Sequence, residues 1–230
     1  MQVICKFDTL PLSARVCLKR VAKAANANRV VKDGRLIFVD SHCSPDPHCK
    51  GICADISVYP AGCSLTDHKS EFWKMEFFIE LKDEEEDPFR DRAPKSHSKF
   101  PFLRDTREAK QTMGQIGAYA DALQGMQFRI YVFSILICGR YARLIYWNRG
   151  GAVVTRRFDY QIPGRTPLTE FIWRYSQLDR EGRGHDMTVT PFPNPNTPFS
   201  GSIELKLFDS DKLSDSDELS DSADSDESKD

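Results

Sequence analysis

Two hundred and thirty residues, 40% hydrophobic and 29% charged, suffice for one ordinary core with an appendage and are too polar for a membrane protein. The formal net charge of −2 hides a division at Asp209: residues 209–230 hold ten Asp/Glu against two Lys, and the preceding 208 hold thirty Lys/Arg against twenty-four Asp/Glu. A basic body is thus joined to an acidic tail.

Leu10 to Ala25 reads as an amphipathic helix, with Leu12, Val16, Leu18, Val21 and Ala25 on its apolar face. The turn signal Lys32-Asp33-Gly34 precedes a strand over Arg35–Val39, and a loop rich in Cys, His and Pro follows from Ser41 to Gly51. Strands are expected at Ile52–Tyr59 and Phe72–Lys82, then a polar loop over Asp83–Ser98 broken by Pro88 and Pro94. Met113, Ile116, Ala120 and Leu123 recur at helical spacing within a helix over Thr106–Leu123. Strands over Phe128–Cys138 and Ala142–Trp147 lead through the turn Arg149-Gly150-Gly151 into Val153–Phe158. Leu168–Leu178 reads as a last helix, capped by Thr166 or Thr169.

This order predicts a mixed α/β domain over residues 1–190. A Pro-rich linker without regular structure is expected at 191–208, and a disordered acidic tail at 209–230, where seven serines stand among ten acids. The N-terminus offers no apolar run of signal-peptide length, and the stretch Ile130–Cys138 is short of the ~20 residues a spanning helix needs. Seven cysteines, an odd count at irregular spacing, suggest reduced thiols. The expectation is an intracellular protein, cytoplasmic or nuclear, with no membrane partner.

Polar residues inside apolar elements carry the chemistry. Asp55 falls within Ile52-Cys-Ala-Asp-Ile-Ser-Val58, Glu80 and Lys82 end Phe77-Phe-Ile-Glu-Leu-Lys82, and Gln115 and Tyr119 lie on the central helix. Strand residues i and i+2 share a face, as do helix residues i and i+4, so each pair points one way. If the second and third strands pair, Asp55 approaches Glu80. Two such carboxylates suit Mg²⁺ or Mn²⁺, and a lysine beside them can stabilise charge developing on a phosphate. Each taken alone reads more readily in a bland way, with Asp55 and Glu80 capping strand ends in solvent and Lys82 an edge residue.

The set Asp55 … Glu80-x-Lys82 … Gln115-x-x-x-Tyr119 resembles the motifs of the PD-(D/E)XK nuclease-like superfamily, in the RecB-like variety. The resemblance implies a restriction-endonuclease-like α-β-β-β-α-β core, here with an added β-hairpin and helix. It also implies Asp55 and Glu80 as metal ligands and Lys82 as the catalytic lysine, with Gln115 and Tyr119 supporting the site or contacting nucleic acid.

Longer runs resemble another segment. Ala54-Asp-Ile-Ser-Val-Tyr-Pro60, Phe77-Phe-Ile-Glu-Leu-Lys82 with Asp87-Pro-Phe89, Gly114-Gln-Ile-Gly-Ala-Tyr119, Phe133–Trp147, Arg149–Thr155, Phe158-Asp-Tyr160 and Leu168-Thr-Glu-Phe-Ile-Trp-Arg174 are similar in order to the region before the catalytic domain of the fungal-type protein kinase family. This implies a pre-kinase module, in a chain with no Gly-rich phosphate loop, Val-Ala-Ile-Lys, His-Arg-Asp or Asp-Phe-Gly and hence no kinase activity of its own. The alternative is a catalytically inactive interaction or regulatory module that keeps the nuclease-like fold.

Three weaker signals remain. His42, Cys43, His48, Cys49, Cys53, Cys63 and His68 crowd together, but a structural zinc needs four ligands with a short knuckle, so free thiols are the simpler reading. Arg140, Arg143, Arg149, Arg156 and Arg157, interleaved with Tyr141, Tyr146 and Trp147, could contact DNA or RNA. The tail's Ser-Asp runs suit acidophilic kinases, protein partners or competition with nucleic acid for a basic patch.

Overall fold

The computed structural model describes residues 35–49, 51–65, 70–91, 101–162, 166–191 and 201–203. The helix expected at Leu10–Ala25, the acidic tail and His68 lie outside the described residues. A sheet in the order β1-β2-β3-β4-β5-β6 organises the chain. Its strands are β1 (Leu36–Asp40), β2 (Ile56–Pro60), β3 (Phe77–Lys82), β4 (Tyr131–Cys138), β5 (Tyr141–Asn148) and β6 (Gly151–Val154). A short β7 (Phe158–Asp159) pairs with the other end of β5. The first three strands form an antiparallel meander. Helix α1 (Arg107–Gln127) then crosses over, so that β4 lies parallel to β3, and β5 returns antiparallel. This is an α/β architecture with a mostly antiparallel sheet.

Central β3 is buried on both faces, which is why it reads as a nearly unbroken apolar run. Phe78 turns with Leu136 and Val132 toward Ile116, Tyr119 and Leu123 of α1. Phe77, Ile79, Ile135 and Ile137 turn toward α2 (Pro167–Gln177), against Leu168, Ile172 and Tyr175. Helix α1 starts where the Thr106 side chain accepts the Ala109 amide at 3.2 Å. Helix α2 starts with Pro167 behind a Thr166–Thr169 capping box, so both candidate caps act together.

Several expected boundaries move. The second strand begins at Ile56, so Asp55 lies just before it and not within it, and residues 72–74 form a turn before β3. Helix α1 runs on to Gln127, because Phe128 adopts a left-handed conformation (φ 52°) and ends it there. The strand expected at Val153–Phe158 divides into β6 and β7, both on β5. Regular structure also enters the expected linker: β8 (Val189–Pro191) pairs with β9 (Gly201–Ile203). Proline is tolerated at the end of such a two-stranded ribbon, where no ladder amide is lost.

The segment after α2 is seated by Gly184 (φ +90°), whose carbonyl accepts the Ile130 amide at 2.8 Å. A Cβ there would strike the Tyr131 backbone oxygen. Gly184→Ala is therefore expected to lower stability by about 2 kcal/mol, read as a drop in urea midpoint at unchanged m-value.

Candidate active site

The pairing of β2 with β3 sets Ile56 opposite Ile79, and continuing that register brings Asp55 beside Glu80. The Asp55 amide donates to Glu80 Oε2 at 3.4 Å, and the Asp55 carboxylate accepts the Leu81 amide at 2.8 Å. Lys82, two residues on and on the same face, donates to Glu80 Oε1 at 2.7 Å. Glu80 is 1% exposed, yet the Lys82 side chain keeps 17% exposure. The group therefore opens at one end. Helix α1 lies over this face of the sheet, and Gln115 Nε2 donates to the Tyr119 hydroxyl at 2.7 Å. Tyr119 packs edge-on against Phe78, next but one to Glu80 in β3. The five residues singled out from the sequence thus share one face of the sheet.

Burial dominates the electrostatics. It raises the Glu80 carboxyl from 4.5 to about 8, helped by the Asp55 charge and only partly opposed by Lys82. Asp55 is raised as well, by burial first, against the pull of Lys82 and the Leu81 amide. Burial works against the Lys82 ammonium, but the Glu80 and Asp55 charges outweigh it and hold its pKa above the ordinary value. The Tyr119 phenol is pushed well above its ordinary range by burial and by Glu80. One lysine does not balance two desolvated carboxylates. A divalent cation held by Asp55 and Glu80 would supply the missing positive charge, so this donor set fits a hard ion. Among the described residues there is no group of three or more His, Cys, Asp or Glu placed to hold a metal, so such an ion would take its remaining ligands from water or substrate.

The sequence reading missed Asp40 and placed His42 only in the Cys/His cluster, not beside Asp55. Asp40, the last residue of β1, hydrogen-bonds His42, and the two bear on Asp55 with opposite effects: His42 lowers its pKa and Asp40 raises it. The clue available was a polar pair at the end of the strand that flanks β2.

The arginine cluster divides. Arg143 is buried, reaching Asp87 at 2.9 Å and Asp91 at 2.9 Å, and Trp147 is buried with its indole N–H on Ser134 at 2.9 Å. Neither can meet nucleic acid. Arg140, Arg149, Arg156 and Arg157 are exposed, and of these Arg140 pairs with Asp159 and Arg157 with Asp91. Cys49, Cys63 and Cys138 are free thiols. Cys49 donates to Met126 Sδ at 3.0 Å, and burial drives its pKa up to about 12, so it packs as an inert apolar group. No described helix is long and apolar enough to cross a membrane.

No protein-family model, curated protein or solved structure matches this chain.

Proposed function

We propose that this chain is a restriction-endonuclease-like module that hydrolyses phosphodiesters with Mg²⁺ or Mn²⁺ held by Asp55 and Glu80, and that it corresponds to the pre-kinase module of fungal-type kinase-like proteins. One observation carries the reading: a glutamate buried in the central strand, beside a second carboxylate and a lysine, at the open end of that strand. A buried ionisable cluster of this kind is costly for folding alone and is a signature of function. The meander, crossover helix and parallel fourth strand support the same reading.

Asp55 and Glu80 would hold the ion, which when bound supplies Lewis-acid activation of a phosphate and an acidified water. Lys82 is placed to stabilise the charge gathering on the phosphate, and its bond to Glu80 fixes its position. Tyr119, held by Gln115, keeps its proton and offers a neutral hydrogen bond.

Two measurements test this. Mg²⁺- or Mn²⁺-dependent cleavage of single- and double-stranded DNA and RNA is expected, and Lys82→Ala should cut the rate about 10²-fold, the scale of one electrostatic donor. Metal at ten times its Kd should stabilise the wild type by about 1.4 kcal/mol and leave Asp55→Asn unchanged. Absence of both cleavage and metal-induced stabilisation would defeat hydrolysis and leave a binding module. That second reading is favoured by the pairing of Lys82 with Glu80, which partly neutralises the site.

A further inference from the structure

Beside the carboxylate site lies a surface that hydrolysis itself does not use. Glu80 of β3, Leu136 of β4 and Arg143 of β5 stand in register across three strands, so Arg143 is two strand spacings, roughly 10 Å, from Glu80. Arg143 anchors the segment that follows β3 through Asp87 and Asp91. Asp91 in turn takes Arg157 Nε at 3.3 Å, and the Arg157 guanidinium lies over the Tyr141 ring at 4.5 Å.

The same anchor carries a short ribbon. Phe89 pairs with Leu103, the Arg90 amide donates to the Phe102 carbonyl at 2.8 Å, and the Arg104 amide donates to the Pro88 carbonyl at 2.9 Å. Phe89 is buried beneath Arg143, while Phe102 packs on Phe89 with ring centroids 5.3 Å apart and keeps 44% exposure. In the described part of this stretch Arg90, Arg104, Arg107 and Lys110 stand against Asp91, Asp105 and Glu108.

We propose that this rim, formed by Arg90, Phe102, Arg104 and Arg157, is the contact surface for a single strand of nucleic acid. One base stacks on Phe102, the arginines meet phosphates, and the strand continues toward Lys82. The exposed ring selects a single strand, because a base within a duplex offers no free face. Exposed Glu84 and Glu85 follow Lys82 closely and repel phosphates, so the strand approaches from the β5 side. What the strand meets at Lys82 rests on the proposed hydrolysis; its binding to the rim does not.

The test is fluorescence anisotropy of the full chain, without metal, on a labelled 20-nucleotide oligo(dT) and on a duplex of equal length. The single strand should bind more tightly, with affinity falling as salt rises. Phe102→Ala should weaken it about tenfold, and Phe102→Trp should restore it. Arg90→Ala and Arg104→Ala should each reduce the salt slope by about 0.7, while Arg149→Ala, in the turn at the far end of β5, should bind as wild type. Thermal melts confirm that each variant is folded. Tighter duplex binding, no binding of the single strand, or rim variants that bind like wild type overturn the proposal. Strand binding without metal-dependent cleavage would defeat hydrolysis alone, and cleavage unaffected by the rim variants would defeat the rim alone.

Discussion

Arg129→Ala is expected to lower stability by about 3–5 kcal/mol, the cost of breaking a buried ion pair from one side. Its guanidinium is 1% exposed and gathers segments far apart in sequence. It donates to the Glu76 carbonyl at 2.9 Å, the Met75 carbonyl at 3.2 Å, the Gln127 side chain at 2.8 Å, the Tyr175 hydroxyl at 3.2 Å and the Arg183 carbonyl at 3.2 Å. It also reaches the buried Glu76 carboxylate at 3.3 Å. Without it, Glu76 keeps Arg183 at 2.7 Å and the Tyr175 hydroxyl at 2.9 Å, and the Glu76, Met75 and Arg183 carbonyls each lose a donor. Equilibrium urea unfolding measures the loss. Arg129→Lys, which keeps charge but not the planar fork, should recover about half of it. Equal stability of Arg129→Ala and wild type would show that the network contributes nothing net.

Glu80→Gln should stabilise the chain by an amount that grows as pH rises. Glu80 has a folded pKa of about 8 against an ordinary 4.5, so between these values the folded chain holds a proton that the unfolded chain has released. Stability therefore falls as pH rises through this window. Asp55, raised in the same direction, adds to the fall. The glutamine variant has no charge to desolvate, and its stability should exceed that of the wild type by several kcal/mol at pH 9 and nearly match it at pH 4. The difference between the two pH–stability curves cancels titrations remote from the site and reports Glu80 together with its coupled neighbours Asp55 and Lys82. Parallel curves would mean that Glu80 ionises as freely as in solvent. A variant that is more stable yet unable to bind metal would show a site kept at the expense of stability.

Local pattern made much of the fold legible. The stretch Phe72–Lys82 identified a strand, whose burial on both faces the structure added, and Met113, Ile116, Ala120 and Leu123 identified a helix. Boundaries slipped where a distant partner decides: Ile52 to Ala54 look like strand residues, but their amides and carbonyls bond the loop at 41–49. The arginine cluster misled because alternation along β5 could not reveal that Arg143 points inward to Asp87, 56 residues away in the chain. The ribbon of Phe89 and Leu103 was read as plain loop, since a single bridge leaves no periodicity.

Residue identity and spacing by themselves determined the α/β character, the central strand and helix, and the five site candidates, because side-chain direction within one element follows from its period of 2 or 3.6 residues. Only the tertiary structure decided which of those elements meet. The β2–β3 register sets Asp55 beside Glu80, and burial of both carboxylates with one lysine raises the Glu80 pKa to about 8. Desolvation and charge coupling depend on what surrounds a group in space, and here those surroundings come from chain segments 25 residues and more apart.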